Sequence, residues 1–378
     1  MFTAIIIILA IPSSDEPELG IVGLASIPKT PEPTPEPPTP MPIPATPEPT
    51  EPPPEEEDEP RSIVFYKGEF ELPIIGATGW AAAQLQLHKT HSVSPTALEF
   101  QALDPGQVFI IMDTYNEWWD VQLPNGMTGW VNSYGCMINL PDIIPSIIYR
   151  ITNASSSVLR SAGYEIPNIT DQQLYSARAF NLRLDRYEYL VPIQYIAAHG
   201  VNRVQQAALE QGNSIIMYEA FRPRETQRAI VSNLQALMNE NEHVHSAITT
   251  PPWSIGWFIS TGISNHQRGA AVDVSLARIC DYEIRFAGDY AYKHINQYVE
   301  YEMPTPMHEL SPAAATLTRP GGAVADTMTE GALKMQEYFS NEGFTLLASE
   351  WWHFNYPAAI TNGDAFGMVG EFFTEPAD

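Results

Sequence analysis

Between residues 62 and 139 apolar residues come in short runs broken by turn-forming residues, the punctuation of a small all-β unit. Val108-Phe109-Ile110-Ile111-Met112 predicts a strand. Trp118-Trp119-Asp120-Val121-Gln122-Leu123 alternates, as a half-buried strand does. Pro124-Asn125-Gly126 then predicts a hairpin turn, because Asn-Gly tolerates positive φ, and Thr128-Gly129-Trp130-Val131-Asn132 predicts the return strand.

From about Pro145 onward the pattern is mixed. Ser214-Ile215-Ile216-Met217-Tyr218 reads as a short buried strand. Pro223 suits the first turn of a helix, and Ile230, Leu234, Leu237 and Met238 follow at helical spacing. Ala271-Val272-Asp273-Val274-Ser275 alternates as a strand, with Val272 and Val274 toward the core. Ala332, Met335 and Phe339 mark a further helix, Gly343 fits its stop, and Phe344 to Leu347 begins a strand leading to Glu350. Strands and helices mix without βαβ repetition, so the expected class is α+β, a sheet with flanking helices, preceded by a small all-β barrel.

Residues 28–60 hold fifteen prolines among 33 residues, with nine acidic residues and one Lys. No core forms from such a composition, and a stiff, extended spacer is expected. Before it, Ala4 to Ile11 is an apolar run too short to span a bilayer; it reads as an atypical export signal without a basic start. The expected organisation is therefore a signal-like stretch at 1–27, a Pro/Glu-rich linker at 28–60, a small β unit at 61–140 and a mixed α+β domain at 145–378. The formal net charge of −26 argues against nucleic acid as a partner, since phosphate binding needs a basic face. Only two cysteines occur, Cys136 and Cys280, too few for a Cys-rich zinc finger; Cys280 reads as a small buried apolar residue.

The candidate chemistry lies in Ser264-Asn265-His266-Gln267-Arg268-Gly269-Ala270-Ala271-Val272-Asp273 and in Glu350-Trp351-Trp352-His353. Two imidazoles and a carboxylate suit a catalytic zinc, and a second carboxylate suits a general base. Gly269 allows the chain to fold back between His266 and Asp273. Alone, those two residues at that spacing read as a loop histidine and a surface aspartate. Glu350 and His353 stand three apart, so on a straight strand they face opposite ways; one site for both requires a bulge or turn. The plainer reading makes Trp351, Trp352, Phe354 and Tyr356 a core strand with an incidental histidine. Arg222 stands at a strand-to-helix junction, where it fits either a developing oxyanion or an ion pair with Glu219 or Glu225. His243-Val244-His245 is a rival metal pair in a polar stretch that reads as a loop, and is taken as incidental.

Two resemblances add to these readings. Trp119 to Val131 resembles the last hairpin of bacterial SH3-like (SH3b) domains, which implies a wall-binding or spacer module over roughly residues 80 to 139. Phe221-Arg222-Pro223, Ser264-x-His266-x-x-Gly269-x-Ala271-x-Asp273 and Glu350-x-Trp352-His353, in that order, resemble the zinc D,D-peptidases of the VanX and VanY type, peptidase family M15. That resemblance implies one Zn2+ held by His266, Asp273 and His353, with Glu350 as general base and acid and Arg222 polarising the scissile carbonyl. It implies D-Ala-D-Ala as substrate, free or at the end of a peptidoglycan stem peptide, and an extracellular or envelope location. Trp351-Trp352 and the segment Glu302 to Pro312 resemble the dipeptidase branch, whereas Arg224-Glu225-Thr226-Gln227 resembles the carboxypeptidase branch. Ser264, His308, Glu309 and Trp352 are the candidate substrate-binding residues. His308 departs from the Asp usual there in dipeptidases, the group thought to meet the free ammonium of the dipeptide. A carboxypeptidase, an endopeptidase and a catalytically dead wall-binding protein are the alternatives.

Overall fold

The Asn-Gly hairpin forms where the alternation places it. In the computed structural model, which describes residues 62–91 and 99–374, β5 (Trp118–Gln122) pairs antiparallel with β6 (Thr128–Asn132), from Trp118 opposite Asn132 to Gln122 opposite Thr128. Gly126 takes φ +81°, and the Asn125 side chain accepts from the Met127 amide at 3.0 Å, closing the turn. The signal-like stretch and the Pro/Glu-rich linker lie outside the described residues.

Around this hairpin lie β1 (Thr78–Ala81), β2 (Leu85–His88), β3 (Glu99–Leu103), β4 (Val108–Tyr115) and β7 (Cys136–Asn139). A short helix, α1 (Leu140–Ile143), follows, then β8 (Ile148–Tyr149), the hairpin β9 (Arg160–Ser161) and β10 (Tyr164–Glu165), the hairpin β11 (Arg178–Asn181) and β12 (Arg186–Tyr189), and β13 (Pro192–Gln194). The first sheet runs in the order β13-β7-β1-β4-β5-β6-β2-β3. Its edge strand β13 thus comes from far along the chain and pairs with β7, Ile193 opposite Ile138.

The rest of the chain supplies α2 (Tyr195–Glu210), β14 (Asn213–Glu219), α3 (Arg224–Glu240), α4 (Glu242–Thr249), α5 (Ile255–Phe258), β15 (Ala271–Ala287), β16 (Tyr290–Glu300), α6 (Glu330–Asn341), β17 (Thr345–Leu347), β18 (Glu350–Asn355) and α7 (Pro357–Phe366). The second sheet has the order β17-β18-β15-β14-β8, with β16 also on β15. Only the β14–β8 pair is parallel among its described pairings. The fold is mixed α+β. α3 buries Ile230, Leu234, Leu237 and Met238, the stripe its spacing predicts, and α6 buries Ala332, Met335 and Phe339.

Two expectations are corrected. The stretch with His243 and His245 is a helix, not a loop: Asn241 caps it through the amides of His243 and Val244, and Val244 and Ile248 are its buried pair. Residues two apart on a helix diverge, so the two imidazoles do not share a face. Cys280 is exposed rather than buried, because it lies on the outer half of β15, where only β16 accompanies the strand.

Candidate metal centre

Three strands bring the chemistry to one level of the second sheet. Asp273 on β15 stands opposite His353 on β18 and opposite Glu219 on β14. Cross-strand partners in register project from the same face. Both neighbouring strands are irregular here. β14 shifts register between Met217 and Glu219. Between β17 and β18, Leu346 faces Phe354 while Leu347 faces Glu350, and this break lets Glu350 and His353 reach one cleft although they are three apart.

His266 arrives from the turn before β15. Gly269, at φ +64°, donates its amide to the His266 carbonyl at 3.0 Å and reverses the chain. His266 Nε2 then lies 3.2 Å from Asp273 Oδ1 and 3.1 Å from His353 Nδ1, and His353 Nδ1 lies 2.9 Å from the same carboxylate oxygen. All three residues are buried, and they form a group able to hold a metal ion.

The outer partners assign the tautomers. His266 Nδ1 is 2.9 Å from the Ala220 carbonyl, which accepts its proton and leaves Nε2 as a lone pair. His353 Nε2 is 3.0 Å from Asn355 Oδ1, itself fixed by Asn265 Nδ2 at 2.8 Å, and this leaves Nδ1 as a lone pair. Two imidazole lone pairs and one carboxylate oxygen therefore converge. Such a donor set repels itself unless a cation or a proton lies among them, and its composition fits Zn2+. Burial alone would raise Asp273, yet the imidazoles of His266, His308 and His353 hold it well below the usual carboxylate range. Burial works against a charged His353, but its bond to Asp273 outweighs this and raises its pKa.

Glu350 is buried, with Oε2 3.9 Å from His353 Nδ1. Burial pushes its carboxyl up to about 8, with His353 pulling the other way. Arg222 stands just before α3 and is 4% exposed. Its Nε donates to Glu219 Oε2 at 2.9 Å, its Nη2 contacts the same oxygen, and its Nη1 donates to Gln227 Oε1 at 2.7 Å. The ion pair with Glu219 thus exists, and Glu219 is also tied to Asn153 Nδ2 at 2.6 Å. Glu219, Asp273 and His308 form a second metal-capable group. The Arg222 guanidinium already lies against both of its carboxylates, 3.5 Å from Asp273 Oδ2, and supplies the positive charge there.

These groups floor a cleft of about 190 Å3, walled by Leu159, Trp257, Ile263, Leu310 and Leu347. A drug-sized ligand needs roughly 300 to 1,000 Å3, so this space takes a small ligand or the end of a longer one. Ser264, His308 and Trp352 line the cleft. Glu309 does not; its carboxylate accepts the Gly163 amide at 3.1 and 3.3 Å. Sequence reasoning named Glu219 as an ion-pair partner of Arg222 and missed Asn355 as the group that orients His353. Asn355 was accessible in principle, since it stands two residues beyond His353 and so on the same strand face.

Among the described residues no helix is long and apolar enough to cross a membrane. No family model matches the sequence. No curated protein matches it either. Among solved structures, the LdcB LD-carboxypeptidase, whose structure is described as revealing the molecular basis of peptidoglycan recognition, is similar over 55% of this chain and 74% of its own, at 18% identity and a TM-score of 0.24. At that level the likeness fixes neither mechanism nor substrate.

Proposed function

We propose that residues 145–378 are a zinc-dependent D,D-peptidase of the VanX and VanY type, hydrolysing the D-Ala-D-Ala bond. One observation carries the reading: His266 Nε2, Asp273 Oδ1 and His353 Nδ1 converge within 3.2 Å of one another, buried, beside a second buried carboxylate. His266, Asp273 and His353 would hold the metal. When bound, zinc supplies Lewis acidity, acidifying water and polarising a carbonyl.

The chain's own residues do the rest. Glu350 takes the proton of the attacking water and delivers it to the leaving amine, so it serves as base and then as acid. Arg222 is held by Glu219 and Gln227 with its guanidinium at the cleft wall, where it meets negative charge developing on the scissile carbonyl. Trp257 and the leucines of the wall exclude water from the reacting bond. The hydrolysis needs no covalent enzyme intermediate. On this reading the sheet of residues 78–139 is an SH3-like module, and the protein works at the cell envelope on peptidoglycan.

Within this class a carboxypeptidase has a specific observation in its favour. Among the described cleft residues the only acids are Asp273 and Glu350, and both are taken by the proposed chemistry. Glu309 points to Gly163 and His308 to Asp273, so no spare carboxylate meets the ammonium of a free dipeptide. The test is D-alanine release from free D-Ala-D-Ala and from an N-acylated peptide with the same end, assayed side by side. Cleavage of the acylated peptide alone supports the carboxypeptidase, and cleavage of the free dipeptide alone supports the dipeptidase. Absence of release from both by zinc-loaded protein overturns the proposal.

A further inference from the structure

We propose that His308 is a positioning residue for Asp273, fixing the orientation in which its carboxylate faces the other metal ligands. The inference rests on the reading of His266, Asp273 and His353 as those ligands. Asp273 divides its oxygens: Oδ1 faces His266 and His353, while Oδ2 faces His308 Nε2 at 3.0 Å and Arg222 Nη2 at 3.5 Å. A buried carboxylate free to twist about its Cβ–Cγ bond would turn its oxygens off the ligand direction. A donor on Oδ2 prevents this, and it leaves Oδ1 as the better-directed electron pair.

The surroundings of His308 show that the ring is placed for that bond. The residue is 1% exposed and sits at φ +59°, the left-handed region that side chains other than glycine seldom adopt. The hairpin β9–β10 clamps it from both sides. Arg160 donates its amide to the His308 carbonyl at 3.1 Å and accepts from the Leu310 amide at 2.8 Å. Ser161 Oγ donates to the Leu310 carbonyl at 2.9 Å, and Gly163 donates to the Glu309 carboxylate. Trp352 meets the ring edge-on, with centroids 5.8 Å apart. With Nε2–H given to Asp273, Nδ1 is left buried with no hydrogen-bond partner among the described residues. The fold thus accepts an unpaired nitrogen and an unfavourable backbone angle to keep Nε2 on the carboxylate.

The test titrates zinc-stripped protein with Zn2+ against a competing chelator, for the wild type, His308→Leu and His308→Gln. Leu removes the donor, whereas the Gln amide restores one near the position of Nε2. The expected result is zinc affinity weakened about 10- to 100-fold in His308→Leu and within about threefold of wild type in His308→Gln. Histidine 15N spectra of the zinc-loaded wild type should show, beside the Nε2–H rings of His353 and His294, a further neutral Nε2–H ring whose signal disappears in His308→Gln. Wild-type zinc affinity in a folded His308→Leu protein, or an Nδ1–H tautomer at His308, overturns the proposal. If His308→Leu does not fold, the Gln variant and the tautomer decide. A wild type that fails to bind one equivalent of zinc removes the ligand reading and this inference with it; normal wild-type binding with unaffected variants removes the His308 role alone.

Discussion

Glu350 is buried beside His353, and its carboxyl is pushed up to about 8 by the loss of water around it. A base must be charged to act, and a cation on His266, Asp273 and His353 draws that pKa back down toward neutrality, where proton transfer in both directions is efficient. Glu350→Gln should therefore cut turnover by about 10²- to 10⁴-fold while one equivalent of zinc remains bound. D-alanine release and metal analysis on the same sample check both halves. Asn355 holds His353, its side-chain carbonyl oxygen lying 3.0 Å from Nε2. Asn355→Leu should weaken zinc binding by about 10- to 100-fold, read by chelator competition, with the fold intact by circular dichroism. At this scale the residues with ligand chemistry could be read from the sequence, because only certain side chains bind zinc. Of their orienting partners, Asn355 could have been read from its place two residues beyond His353, but the Ala220 carbonyl could not, since a backbone carbonyl leaves no trace in a sequence.

Elements were legible where periodicity was strong. α3 carries its apolar stripe from Ile230 to Met238, and the β5–β6 turn has the one dipeptide that best fits it. The long hairpin of β15 and β16 was not foreseen beyond Ser275, because residues 278–283 are mostly exposed and so lose the alternation that marks a strand. His294 on that hairpin accepts from Arg186 Nη1 at 2.8 Å through Nδ1. Burial, and then Arg186 and Arg285, lower its pKa from 6.5 to about 4. Above pH 6.5 the ring is neutral folded or unfolded, so nothing changes there. Between 6.5 and 4 the unfolded chain binds the proton and the folded one resists it, so stability falls as pH falls. The melting temperature should drop across that window, and less steeply in His294→Gln. Gly269 makes the clearest element-level test of the site loop. A Cβ there would meet Met137 Cε at 2.8 Å and the Gln194 amide nitrogen at 3.1 Å, on a backbone at φ +64°. Gly269→Ala should destabilise by more than about 1 kcal/mol in denaturant unfolding, since a side chain is forced into a conformation made for glycine.

At the scale of the molecule, the first sheet reaches the candidate site. Gln194, at its β13 edge, accepts the Asn362 amide through Oε1 and donates through Nε2 to the carbonyls of Arg268 and Ala359. Its own backbone amide donates to Gly269 at 3.0 Å. Most buried apolar residues of residues 70–139 and of the later chain form one continuous cluster, with a small second one around Leu72 and Tyr292. The change of pattern near residue 140 is visible in the sequence, but the pairing of β13 with β7 is not, because three residues carry no periodicity. A chain lacking residues 62–139 should accordingly lose both cooperative unfolding and zinc binding, measured by thermal denaturation and metal titration. The central claim, that this cleft is a zinc D,D-peptidase, is tested most directly by D-alanine release before chelation, after chelation and after zinc is returned. Chelation should abolish release, and one equivalent of zinc should restore it. Release indifferent to the chelator, or zinc bound at one equivalent with no release from either D-Ala-D-Ala substrate, would contradict it.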